Sequence, residues 1–260
     1  RRRQRQMCIR DRSTTKEIFT GSLLASGLHF ENYTKALFTN KAALNLLNSV
    51  IYTVPSCILI IVVCAPAAYC MSRFKFRGAG LIQALIIIGL AIPNIMIVMP
   101  LFSIVSALNL SGTHFTLIFL YTACSVPYTT FFLLTFFKGI STSFEEAAAI
   151  DGCGPIQCFW KIMFPLAQPA IVTVSIFNFI GKWNEYFMAL IFANKSNLRP
   201  IGVGLYQTVT SMMNSGDWAG MFASVVIVFI PTVVIYAFLS DKIISGAVSY
   251  THLTLPTTER

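Results

Sequence analysis

The chain is 260 residues long, 55% hydrophobic and only 11% charged, with a mean hydropathy of +0.70. Globular chains carry roughly 25% charged residues, so this composition excludes an ordinary soluble domain and indicates a membrane protein. The formal net charge of +9 excludes little, because six of the 19 basic residues crowd into the first twelve positions beside one acid, Asp11.

Those six are Arg1, Arg2, Arg3, Arg5, Arg10 and Arg12. A basic arm of this kind also occurs on nucleic-acid and lipid binders. The segment 1–13, with Met7-Cys8-Ile9-Arg10-Asp11-Arg12-Ser13, and the tail 248–260 instead resemble translated sequencing-adapter read-through. Such stretches are set aside from fold reasoning. One transmembrane domain is expected over 14–247, with no nucleic-acid partner.

The stretch from Glu31 to Asn48 alternates aromatic, polar and aliphatic positions, as an amphipathic helix lying at the outer membrane interface would. Apolar runs near 43–70, 80–108, 115–137, 167–193 and 218–240 each supply the about 20 residues a bilayer crossing takes. Each must be helical, because hydrocarbon offers the backbone no water. The expected fold class is therefore all-α, a polytopic membrane helix bundle with five spans present. A first span is expected to be missing ahead of them, which would put both ends inside.

Sidedness follows from the short loops, since Lys and Arg favour the cytoplasm. Arg73, Lys75 and Arg77 follow the first run, whereas the next connection, 109–114, has no Lys or Arg. This places 71–79, 138–166 and 241 onward inside, and 14–42 and 194–217 outside. Within 80–108, Pro93-Asn94 and Pro100 are expected to kink the helix and free carbonyls; Pro55, Pro66, Pro127 and Pro231 are similar positions. The seven cysteines show no metal-ligand spacing and no disulfide framework. Cys57, Cys64, Cys70 and Cys124 sit in apolar runs, where cysteine packs as a small hydrophobe.

The loop 138–166 carries the strongest local signal. Ser143 is read as the cap of a helix with Glu145 and Glu146 in its first turn, where the macrodipole favours anions. Ala147, Ala148 and Ala149 are strong helix formers without bulk, and Gly152 suits the left-handed residue that closes a helix. Pro155 then opens a second helix at its tolerated position, through Phe159, Trp160 and Ile162, and Pro165 closes it. Such a hairpin would fit either a partner protein or the bilayer surface, and its residues alone leave both open.

In 167–193, Asn178, Lys182, Trp183, Asn184 and Glu185 are polar or ionisable residues in an apolar run, which marks a candidate solute pathway. Lys182 and Glu185, three apart, would share a helix face and pair, and Trp183 and Tyr186 would offer ring surfaces to a sugar. An aromatic belt with snorkelling charges is the plainer reading of the same cluster. Asn94, beside Pro93, is a second pathway candidate. The chain has no GxxxxGK[ST] phosphate loop, and neither a nucleophile triad nor a metal cluster stands out.

Glu146-Ala147-Ala148, three residues, Gly152, nine residues, then Ile162-x-Phe164-Pro165 resembles the EAA loop of permease subunits of binding-protein-dependent ABC importers. The fuller run Glu145-Glu146-Ala147-Ala148-x-Ile150-Asp151-Gly152 is similar to the maltose-type carbohydrate branch. So are Asn48-Ser49, Phe177 through Trp183-Asn184-Glu185, and Asp217-Trp218. The family has Leu at Phe164, and its usual Gly-rich terminus is not matched here.

The resemblance implies the type I ABC importer permease fold. It implies an inner-membrane subunit that is not itself an enzyme and binds no cofactor, with ATP and Mg used by a partner. The implied partners are a second permease subunit, two ATPase subunits, an extracytoplasmic solute-binding protein, a sugar and membrane lipid. It further implies that Glu145, Glu146 and Asp151 are polar contacts to the ATPase and that Ala147 and Ala148 are a close-packing surface. Gly152 is then the turn, and Ile162 and Pro165 complete the loop. An ABC permease for an amino acid, peptide or polyamine is the near alternative. A stand-alone secondary transporter would need internal repeats, and none is visible.

Overall fold

The computed structural model describes residues 31–215, 221, 223–234 and 236–237. Both adapter-like ends lie outside the described residues, as does Asp217-Trp218. All secondary structure among the described residues is helical.

A short helical segment, α1, runs over Glu31–Thr34 and tightens into a π turn at Lys35–Thr39. The expected single helix from Glu31 to Asn48 is broken at Asn40-Lys41, where Lys41 adopts φ +57°. Residues from 42 onward instead belong to α2, Ala42–Arg73, the longest helix. Asn45, Asn48, Ser49 and Tyr52 explain the change. They follow an i, i+3, i+4, i+7 spacing and so share one face, and all four are buried.

α5, His114–Gly139, packs along α2 and is capped by Thr113, whose hydroxyl accepts from the Thr116 N–H at 3.3 Å. α2 and α5 are both long and apolar enough to cross a membrane. Pro55, Pro66 and Pro127 lie inside these helices without ending them. The expected single spans over 80–108 and 167–193 are each broken. The first is split into α3, Ala79–Ala91, and α4, Asn94–Ala107, which meet at 107°. Ile92 and Pro93 are both extended there, because the proline ring excludes the residue before it from helix and offers no N–H itself. Pro100, by contrast, stays within α4. Burial of Val98 and Val105 against Tyr52, Leu117 and Tyr121 holds α4 across the outer end of the bundle.

The loop region forms α6, Ser143–Ile150, and α7, a continuous helical run over Pro155–Leu166 with a π turn at Phe159–Met163. After a bend of 72° follow α8, Gln168–Trp183, and α9, Phe187–Phe192. A helix not anticipated from the sequence, α10, occupies Ile201–Ser215. Pro200 followed by Ile201, Leu205, Val209 and Met212 carried its signal. The last run contributes α11, Ala223–Val234, which includes Pro231.

Alternation of ends agrees with the sidedness read from charge. Gly112 and the 194–200 segment meet where the Lys195 ammonium donates to the Gly112 carbonyl at 3.3 Å. Arg73 and the α6–α7 hairpin meet at the opposite end. Each end has its own core. The inner one contains Tyr69, Phe137, Phe159 and Met163, and the outer one Tyr52, Leu117, Tyr121, Phe192 and Val203.

Candidate functional site

The hairpin closes as its sequence requires. Gly152 stands at φ +79°, the Cys153 N–H donates to the Ala148 carbonyl at 2.9 Å, and the Gly152 N–H donates to the Ala149 carbonyl at 3.1 Å. This is the paired-bond helix ending that a left-handed glycine supplies. The start differs from expectation. Thr142, not Ser143, stands at the cap position without bonding the backbone, because its hydroxyl donates to the Glu146 carboxylate at 3.1 Å.

Ala148 does not belong to an outward face: it is 4% exposed and packs with Phe159 and Met163 in the inner core. Its missing bulk serves the approach of α6 to α7. Ala147 is exposed, as are Glu146, Asp151, Gly152 and Pro165, while Ile162 is half-buried against the same core. Glu145 is likewise turned inward. The Arg73 guanidinium, at the last residue of α2, lies 2.9 Å from its carboxylate, and the same guanidinium donates to the Ile140 carbonyl at 2.7 Å. Their side chains are only 10% and 19% exposed, so the pair fastens the hairpin to the end of α2.

Two residues that the sequence reading missed face outward at the hairpin tip: Ile150 is 87% exposed and Ile156 78%. At about 100° per residue, Ile150 lies roughly opposite Ala148, so knowing that Ala148 faces the core would have found it. A cleft of about 220 Å³ separates Pro66 and Phe74 from Ile156 and Trp160. Burial, with Glu145 nearby, pushes the Cys158 thiol above its usual range.

The second constellation is scattered by the break at Asn184–Tyr186. Lys182 and Glu185 do not pair. The Lys182 ammonium lies 5.4 Å from the Tyr121 ring centroid, and the Glu185 carboxylate accepts the Met188 N–H at 2.9 Å, closing the first turn of α9. Asn178 is buried and donates to the Thr129 hydroxyl at 2.9 Å and to the Val174 carbonyl. Trp183 is 8% exposed, stacks on Phe179 at 5.8 Å, and its indole donates to the Thr232 hydroxyl. Tyr186 meets Tyr206 edge-on. Only Asn184 and Asn94 are exposed. The described groups of three or more His, Cys, Asp or Glu include none arranged to hold a metal.

Residues 58–245 match the family model described as "Binding-protein-dependent transport system inner membrane component". The chain is 33% identical over 236 residues to the diacetylchitobiose uptake system permease protein of Streptomyces coelicolor, covering 88% of this chain and 78% of that one. It is also 33% identical over 217 residues to the sulfoquinovosyl glycerol transport system permease protein of Agrobacterium fabrum, covering 83% and 75%. A bacterial ABC transporter chain involved in import of the acidic polysaccharide alginate superposes with a TM-score of 0.73 at 24% identity, over 84% of this chain and 81% of that one. That likeness shows a shared fold. The all-helical bundle, its fold and these sequence matches agree: the chain belongs to the family of binding-protein-dependent transport system inner membrane components, the permease subunits of ABC importers.

Proposed function

We propose that this chain is the permease subunit of an ATP-driven carbohydrate importer, forming half of a translocation pathway and driven through its α6–α7 hairpin. The cargo reading rests on relatives named for diacetylchitobiose and sulfoquinovosyl glycerol, both carbohydrates. The coupling reading rests on one observation above others: a cytoplasmic hairpin that is fastened inward by Arg73–Glu145 yet presents Ile150 and Ile156 to solvent. Ile150, at the end of α6, and Ile156, at the start of α7, are left unpacked by the described residues, and apolar side chains beside Glu146 and Asp151 suit a groove on a folded partner.

In this reading the partner is an ATPase subunit, which binds the ATP and Mg that this chain does not. Two such subunits, a second permease and an extracytoplasmic solute-binding protein complete the machine. Closure of the ATPase pair pushes the hairpin tip, and the Arg73–Glu145 pair carries the push into α2. Asn184 and Asn94, exposed at the two helix breaks, are the pathway positions this geometry favours. Asn178 and Trp183 support the pathway from behind, and Lys182 and Glu185 border it.

The test is Glu146→Lys, in the exposed first turn of α6, made in the assembled transporter. Membrane insertion is expected to persist, while sugar uptake and solute-stimulated ATP hydrolysis fall at least about tenfold, the effect of some 1.4 kcal/mol lost at an interface. Undiminished uptake would remove the hairpin from the mechanism.

A further inference from the structure

The outer end of the molecule holds a polar cavity that the transport reading leaves unassigned. It has a volume of about 260 Å³ and lies between the start of α2, the 194–200 segment and α10. Lys41 and Arg199 line it, with Asn40, Asn45, Gln207 and Thr208, and no carboxylate does. Lys41 reaches only the Ser196 hydroxyl, at 3.4 Å, so the two cations face a cavity without a countercharge among the described residues.

Asn45 supplies an independent observation. It is 4% exposed, lines the cavity, and its Oδ1 has no donor; the Asn40 amide nitrogen has no acceptor either. A buried amide group left unpaired costs roughly 1–3 kcal/mol, so an entering group that pairs with them gains what water in the cavity otherwise supplies. The occupant must bring negative charge for Lys41 and Arg199, a donor for the Asn45 oxygen and an acceptor for the Asn40 nitrogen. A carboxylate side chain on a peptide, with the amide N–H and C=O beside it, brings all three. An inorganic anion such as sulfate brings no donor.

Adjacent surface favours a protein as the source. α10, which forms one wall, exposes Tyr206 at 55% and Met213 at 54%, and Tyr, Met and Arg are the residues enriched in protein interfaces. We propose that this cavity is a socket for an aspartate or glutamate side chain of the solute-binding protein as it docks on the outer face. The inference rests on the importer reading, which requires such a partner, and adds where and by what chemistry it is held.

The experiment titrates the assembled transporter in lipid nanodiscs with its purified, solute-loaded binding protein and reads ATP hydrolysis. Arg199→Glu is expected to raise the half-saturating concentration of binding protein at least about tenfold, and Arg199→Lys to leave it near the wild-type value. Raising the salt should weaken the wild-type response and narrow the gap to Arg199→Glu, as charge pairing at a surface requires. An unchanged half-saturating concentration in Arg199→Glu would overturn the socket while the importer reading stands. Binding of free glucuronate that Arg199→Glu abolishes, with the binding-protein titration unchanged, would assign the cavity to a small solute and equally overturn it. No stimulation of the wild type by the binding protein would defeat the importer reading itself.

Discussion

At the scale of single residues, the Arg73–Glu145 pair does work that the sequence assigned elsewhere. Glu145 reads as one of two equivalent acids in a helix's first turn, but the two divide their roles by direction: Glu146 points to solvent and Glu145 into the inner end of the bundle. Removing one partner of a shielded charge pair leaves the other short of its hydrogen bonds, at roughly 1.5–3 kcal/mol. Glu145→Ala should therefore loosen the hairpin without unfolding the spans. Hydrogen exchange in 143–166 is expected to quicken while α2 and α5 stay protected, and uptake to fall with the ATPase still running. Equal exchange in both proteins would show that the pair fastens nothing. The turn at Gly152 was legible beforehand, because a helix ending before a glycine has few alternatives. The inward turn of Ala148 was not, since an alanine run has no polar or apolar side to betray its orientation.

At the scale of elements, α10 is held to α2 by a strap of polar contacts. The Asn48 amide donates to the Asn197 and Arg199 carbonyls at 2.8 and 3.1 Å, the Tyr52 hydroxyl donates to the Leu198 carbonyl at 2.7 Å, and the Ser49 hydroxyl accepts the Ile201 N–H at 2.8 Å. Gly204 lets the two helices approach, since a Cβ there would strike the Asn45 side chain. Gly204→Val should cost about 1–3 kcal/mol by overpacking and displace α10. The expected result is a lower melting temperature of the complex with weaker docking of the binding protein; an unchanged melting temperature would show that the contact is slack. The breaks at Pro93 and at Asn184–Tyr186 stand in contrast. Pro93 announced itself by its chemistry, but its 107° turn came from where Val98 and Val105 find their core. At 184–186 no proline or glycine marks the break, and Glu185 closing α9 is visible only once the chain has turned.

At the scale of the whole molecule, the described surface is strongly apolar along α3 and α4. α3 and α4 expose Leu81, Leu85, Ile95, Met96 and Met99, while Ile86 is the only buried position in α3. Such faces are satisfied by lipid or by a second permease. Vesicles bearing this chain alone should accumulate no sugar, and the complex of two permeases and two ATPase subunits should release it on the far side only with ATP and the solute-binding protein supplied; transport by the chain alone would mark a secondary transporter. The sequence by itself determined membrane residence, helical class and the hairpin. These follow from composition, from the backbone's need for internal hydrogen bonds in hydrocarbon, and from the local chemistry of Gly, Pro and first-turn acids. Tertiary structure alone decided which acid is spent, which polar residues of α8 are packing and where a cavity remains. Each of those depends on which faces meet between residues distant in the chain, from 49 positions for Asn178 and Thr129 to 72 for Arg73 and Glu145 and 152 for Ser49 and Ile201, and side-chain type does not specify that.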